Sequence, residues 1–154
     1  NNPLDYDSRV QMACVYLPRS SKDIYHYVTD NRFHLIRYSV NGKAIGSAIC
    51  YLEGENFLVD SVEGHRTFRK EEIFKAVYED LVTRAKELGA KRVIFNKDAY
   101  NLTPKEFLNY IEKLGLKKGK VKMKLDTKGY LEADDPARGY IVELQWNQCA
   151  YVNN

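Results

Sequence analysis

Between Phe57 and Phe95 the spacing of apolar residues changes twice. Phe57-Leu58-Val59-Asp60-Ser61-Val62 is a short apolar run broken by one carboxylate, the pattern of a strand. A charged turn follows, from Glu63 to Lys70. Beyond Glu71, the residues Ile73, Phe74, Val77, Tyr78, Leu81, Val82, Ala85 and Leu88 recur at steps of three and four, the stripe of an amphipathic helix. Gly89 supplies the left-handed residue that ends it, and Arg92-Val93-Ile94-Phe95 is a second strand. A helix of this length between two strands is a crossover, so the pattern predicts two parallel strands in one sheet.

The flanking segments extend this picture. Upstream, Val10–Leu17 reads as a strand that Pro18 stops, and Ser20 or Ser21 caps a short helix carrying Ile24, Tyr25, Tyr27 and Val28. Phe33–Val40 alternates, with Phe33, Leu35, Arg37 and Ser39 on one face and His34, Ile36, Tyr38 and Val40 on the other. Asn41-Gly42 marks a type I′ hairpin into a returning strand, Ala44–Leu52, and Gly54 with Asn56 turns the chain again into Phe57. Downstream, Thr103-Pro104-Lys105-Glu106 signals a helix start, with Thr103 as cap, Pro104 in the first position and Glu106 closing a capping box. Phe107, Leu108, Ile111 and Leu114 make its buried stripe, and Gly115 ends it. Val121, Met123 and Leu125 alternate with Lys120, Lys122 and Lys124, a strand with one wet face; after a polar connection, Asp126–Gly139, Tyr140–Trp146 is the last strand. The expected fold is α+β in three layers: a mixed, mostly antiparallel central sheet with one β-α-β crossover.

Composition narrows the class only a little. The chain has 154 residues, 44% hydrophobic and 29% charged, as ordinary globular domains do. A net charge of +3 is too small to argue for nucleic acid. Cys14, Cys50 and Cys149 are odd in number and far apart, which suits reduced core thiols of a cytoplasmic protein rather than a disulfide frame. His26 and His34 have no partners at ligand spacing, so no metal is expected. No apolar run nears the ~20 residues needed to cross a bilayer, and no signal peptide is visible. Residues 1–8 read as a linker or tail, 9–146 as one domain and 147–154 as a C-terminal tail; the linker-like start suits a domain excised from a longer protein.

The element order, with the hairpin Asn41-Gly42-Lys43-Ala44-Ile45-Gly46, the long helix after the fourth strand and the ending Tyr110-Ile111-Glu112-Lys113-Leu114-Gly115-Leu116, resembles the GNAT acyltransferase superfamily over about residues 9–146. The resemblance implies an acyl-CoA N-acyltransferase-like fold and transfer of an acyl group, most simply acetyl, to an amine. It places acetyl-CoA or another acyl-CoA between the parting fourth and fifth strands. The backbone of Val62 would meet the pantetheine arm, and Arg66, Arg69 and Lys70 its phosphates, at the helix start where free N–H groups attract anions. Asp60 would be the general base, and Tyr110 or Tyr100 the acid for the leaving thiolate. Aligned on the helix stripe, Arg69 matches the family's Arg/Gln, but Glu72 and Phe74 stand where its pyrophosphate loop has glycines, so the motif is degenerate.

The residues also carry plainer readings. Asp60 on an alternating strand can point to solvent or to an arginine. His65 and Arg66 fit an anion site or a solvated turn. Lys117, Lys118, Lys120, Lys122 and Lys124 could meet nucleic acid, but they lack interleaved aromatics and suit protection of an edge strand better. Two functions therefore stand: an acyl-CoA-dependent N-acyltransferase, or an inactive GNAT-like domain acting as a recognition or assembly module of a larger protein.

Overall fold

The computed structural model describes residues 21–64, 68–98 and 103–144. The expected strand Val10–Leu17 and the residues Cys14, His65, Arg66, Tyr100, Trp146 and Cys149 lie outside them. The elements run α1 (Ser21–Thr29), β1 (Phe33–Val40), β2 (Lys43–Glu53), β3 (Asn56–Gly64), α2 (Glu71–Glu87), β4 (Arg92–Asn96), α3 (Lys105–Lys113), β5 (Lys117–Val121) and β6 (Ala137–Glu143).

Among the described residues six strands form one sheet in the order β1-β2-β3-β4-β6-β5. There β3 and β4 are parallel, joined by α2, and the other described pairs are antiparallel. The mixed sheet with its crossover is the architecture that the periodicity predicts. The β1–β2 hairpin turns on Asn41 and Gly42, both at positive φ (52° and 77°), as a type I′ turn requires.

Each face of the sheet buries its own core. On one side α2 and α3 lay Phe74, Val77, Leu81, Phe107 and Ile111 against Cys50, Phe57, Val59, Val93 and Phe95. On the other, Tyr27 of α1 and the segment after β5 cover Phe33, Tyr51, Leu58, Ile94 and Ile141. Cys50 is a free, buried thiol, as expected of a core residue.

Four local expectations need correction. Thr103 does not cap α3: the cap position is Pro104, no side chain bonds the helix end, and the Thr103 hydroxyl accepts the Val62 N–H instead, at 3.1 Å. Leu114 is 42% exposed rather than part of the buried stripe. The lysine-rich strand stops at Val121, because the next N–H groups are captured by distant carboxylates. Met123 donates to Asp135, and Lys124 and Leu125 donate to Glu53. Finally, β6 starts at Ala137, inside the stretch read as connection, because Ala137 pairs with Val121.

Candidate active site at the bulge of the third strand

The site begins with an irregularity in β3. Cys50 pairs with Val59 and Ile49 with Ser61, which leaves Asp60 as an extra residue in the ladder, a β-bulge. One inserted residue flips the side-chain alternation beyond it. Val62 accordingly joins Phe57 and Val59 in the core beneath α2, whereas strict alternation would set it on the opposite face. Glu63, next along the strand, is thereby turned to the face that Asp60 occupies. Glu132 raises the pKa of both through its charge, which fits two carboxylates on one side of the strand.

Asp60 is 2% exposed and fully engaged. Its Oδ2 accepts the Glu132 N–H at 2.8 Å, and its Oδ1 accepts the Ala133 N–H at 2.9 Å. Burial pushes its pKa up to about 6, with the two backbone N–H groups pulling the other way. The plain expectation of solvent or an arginine partner is not what the fold provides: the carboxylate pins the 132–133 segment to β3.

Glu63 is the opposite case. It is 5% exposed, and neither carboxylate oxygen has a hydrogen-bond partner among the described residues. Burial, and then the charge of Glu132, push its pKa up to about 7. A buried, unpartnered carboxylate that holds a proton near neutral pH is suited to general acid–base chemistry. The sequence pattern sets Glu63 in a charged turn, whereas the fold carries β3 through it to Gly64. The bulge that turns it inward leaves no mark in the apolar pattern; the only available hint is a second carboxylate three residues after Asp60.

Beside the bulge the parallel strands part. Their pairing ends at Val59 with Phe95, while β3 continues to Gly64. Side chains bridge the opening. Asn96 Nδ2 donates to the Asp60 carbonyl at 3.1 Å, and the Val62 N–H, expected to meet a pantetheine arm, is held by Thr103.

The start of α2 carries the other expected residues. Lys70 sits at its N-cap, and among the described residues no side-chain cap hydrogen bond is made there. Lys70 and Arg69 are exposed, with Arg69 3.9 Å from Glu106. Glu72 is exposed, and Phe74 is buried with its ring against Phe68, Phe107 and Tyr110. Between α2 and α3 lies a groove of ≈ 240 Å³ lined by Glu71, Phe74, Glu106, Asn109, Tyr110 and Lys113. Tyr110 thus faces α2, and its phenol is held above the usual range by burial and by the charges of Glu79 and Glu71. Among the described residues no group of three or more His, Cys, Asp or Glu side chains could hold a metal ion. No helix there is long and apolar enough to cross a membrane.

No protein-family model matches the sequence, and no curated protein sequence matches it. Solved structures do. A ribosomal-protein-alanine N-acetyltransferase from Brucella melitensis superposes with a TM-score of 0.55 at 17% identity, covering 86% of this chain and 82% of that one. An aminoglycoside 6′-acetyltransferase type Ii gives 0.55 at 15% identity, over 86% and 81%. A GNAT family acetyltransferase from Elizabethkingia anophelis with acetyl-CoA bound gives 0.53 at 16% identity, over 82% and 85%. Identities this low speak to the fold alone: the chain has the fold of the GNAT acetyltransferases.

Proposed function

We propose that this chain transfers an acetyl group from acetyl-CoA to an amine, with Glu63 as the general base. The observation that carries the reading is the Glu63 carboxylate, buried beyond the bulge where β3 leaves β4 and without a hydrogen-bond partner among the described residues. Asp60, the base expected from the strand alone, already spends both oxygens on backbone N–H groups. It serves better as the residue that positions the 132–133 segment.

In this reading Glu63 takes a proton from the acceptor nitrogen. The nitrogen lone pair forms the C–N bond at the thioester carbon, the C–S bond breaks, and the thiolate takes up a proton. Tyr110, at the α2–α3 groove, is the donor proposed for that proton. Arg69, Lys70 and the uncapped start of α2 would hold the phosphates. The fit there is partial: Glu71 and Glu72 share the first helical turn with those cations, and Thr103 must release the Val62 N–H before the pantetheine amide can use it.

The test is Glu63→Gln assayed by thiol release from acetyl-CoA with a panel of amines. Loss of one general base lowers kcat about 10²–10⁴-fold, with the melting temperature held or raised. Full activity in Glu63→Gln would remove Glu63 from the chemistry. If millimolar acetyl-CoA leaves the melting temperature of the unaltered chain unchanged, acetyl transfer itself falls and the fold serves as a module.

A further inference from the structure

Where β3 and β4 part, a side chain takes the place of the ladder. Pairing between them ends at Val59 with Phe95, and the next carbonyl on that edge of β3, that of Asp60, accepts from Asn96 Nδ2 at 3.1 Å. The other end of the same amide is also held, because Asn96 Oδ1 accepts the Asp98 N–H at 2.9 Å. Asn96 is 2% exposed and stands opposite Gly139 of β6. The two strands are close there, since a Cβ at Gly139 would collide with the Phe95 carbonyl. Asn96 is thus fixed by its own turn and by β6, and reaches from there to the residue that is extra in the β2–β3 ladder.

That extra residue sets the phase of the strand after it. Side chains alternate with period two, so absorbing or shifting the bulge turns each later one to the other face. As the bulge stands, Val62 lies beneath α2 and Glu63 is on the opposite face. The α2 face is already filled at that level. The Phe68 ring lies over Gly46 and Gly64, so close that a Cβ on either would stand 2.6 or 2.5 Å from it. Two contacts hold the bulge residue itself. The Glu132 and Ala133 N–H groups bind its carboxylate, and Asn96 binds its carbonyl. Resting on the acetyl-transfer reading, we infer that Asn96 is a positioning residue for the base: by holding the Asp60 carbonyl it fixes the bulge, and through the bulge the face on which Glu63 meets the acceptor nitrogen. Without that donor the bulge is free to shift along β3. Glu63, barred from the α2 face by Phe68, then leaves its buried place for water.

The test is Asn96→Leu, which keeps the size of the side chain and removes the donor, with Asn96→Ser as a second variant should the first not fold; melting curves establish which is folded. The first readout needs no acyl donor. The Glu63 side-chain carboxyl is titrated by carbon-13 NMR, its signal identified by its loss in Glu63→Gln. In the unaltered chain burial, and then the charge of Glu132, push its midpoint up to about 7, and in the Asn96 variant the midpoint falls toward the ordinary 4.5. The second readout is turnover. In Asn96→Leu kcat falls about 10²-fold, as for a misplaced reacting group, with KM for acetyl-CoA unchanged. The loss vanishes when Glu63 is already Gln, because both substitutions then act on the same base. An unmoved Glu63 midpoint in a folded Asn96 variant, or kcat losses from Asn96→Leu and Glu63→Gln that multiply, would overturn the inference. A midpoint that moves, in a chain that releases no thiol from acetyl-CoA with any amine, leaves the positioning standing and removes the transfer reading. Turnover lost in Glu63→Gln but kept in Asn96→Leu, with the midpoint unmoved, does the reverse.

Discussion

Glu63 and Asp60 lie three residues apart on β3 and differ in what their carboxylates meet. Both are acids on β3, both are almost fully buried, and burial raises both pKa values. The difference is pairing: two backbone N–H groups reach Asp60, and among the described residues none reaches Glu63. This difference has a consequence for stability. A carboxyl whose folded pKa is raised holds its proton more tightly in the native state, so its contribution is complete below the ordinary value and is lost as pH rises through the folded one. For Glu63 the window runs from 4.5 to about 7, and for Asp60 from 3.8 to about 6. Among the described residues the charge acting on Glu63 is that of Glu132, also acidic, so it does not offset the loss. Full ionisation of Glu63 costs ~3 kcal/mol. The melting temperature is therefore expected to be higher at pH 5 than at pH 8 by roughly 5 °C or more, and Glu63→Gln should flatten much of that slope. A profile that rises from pH 5 to pH 8 would show that Glu63 is paired in solution. At the acid end Asp30 works the other way, since the Arg32 guanidinium holds its pKa at about 2; its contribution is lost only as pH falls through that value.

At the level of elements, the start of α3 has a function that its sequence disguises. Thr103-Pro104-Lys105-Glu106 has the composition of a capping box, and local propensity alone assigns Thr103 to its own helix. Tertiary structure gives the hydroxyl to Val62 instead, at the point where β3 has lost β4 as a partner. In the acetyl-transfer reading proposed above, Thr103 holds the N–H that a bound pantetheine would use. Replacing it with Val should have two opposed effects. The Val62 N–H loses its acceptor, at a cost of about 1–3 kcal/mol in the free chain, so the melting temperature falls. The same N–H becomes available to the donor without displacement, so the upward shift produced by acetyl-CoA grows. Thermal melts with and without acetyl-CoA read both; a lowered melting temperature with an unchanged ligand shift would mean that the donor never uses Val62. Elsewhere, elements whose signals are local form where the sequence pattern sets them. Asn41-Gly42, the α2 stripe and Gly89 each act within a few residues, and each is found as expected. The pattern fails where the partners are distant: the end of β5 is set by Glu53, 71 residues from Lys124, and the facing of Glu63 by a bulge that no apolar spacing records.

For the molecule as a whole, the order β1-β2-β3-β4-β6-β5 leaves β5 pairing only with β6 among the described strands. Its other edge is a row of backbone donors and acceptors that no described strand pairs. Lys117, Lys118 and Lys120 are exposed along it, and Lys122 and Lys124 continue the exposed positions beyond, while Val121 and Met123 between them turn into the core. Lys118 is tied down, 3.1 Å from Glu112 and over the Tyr140 ring. The others form a line of like charge whose repulsion between two copies opposes edge-to-edge pairing. Replacing Lys117, Lys120 and Lys122 with Thr keeps polarity, raises strand propensity and removes the charge. The variant should sediment with a concentration-dependent increase in mass that high salt does not reverse, while the unaltered chain shows none at low salt. Should the variant stay as disperse as its parent, the lysines are not what guards this edge, and their clustering calls for an anionic partner instead.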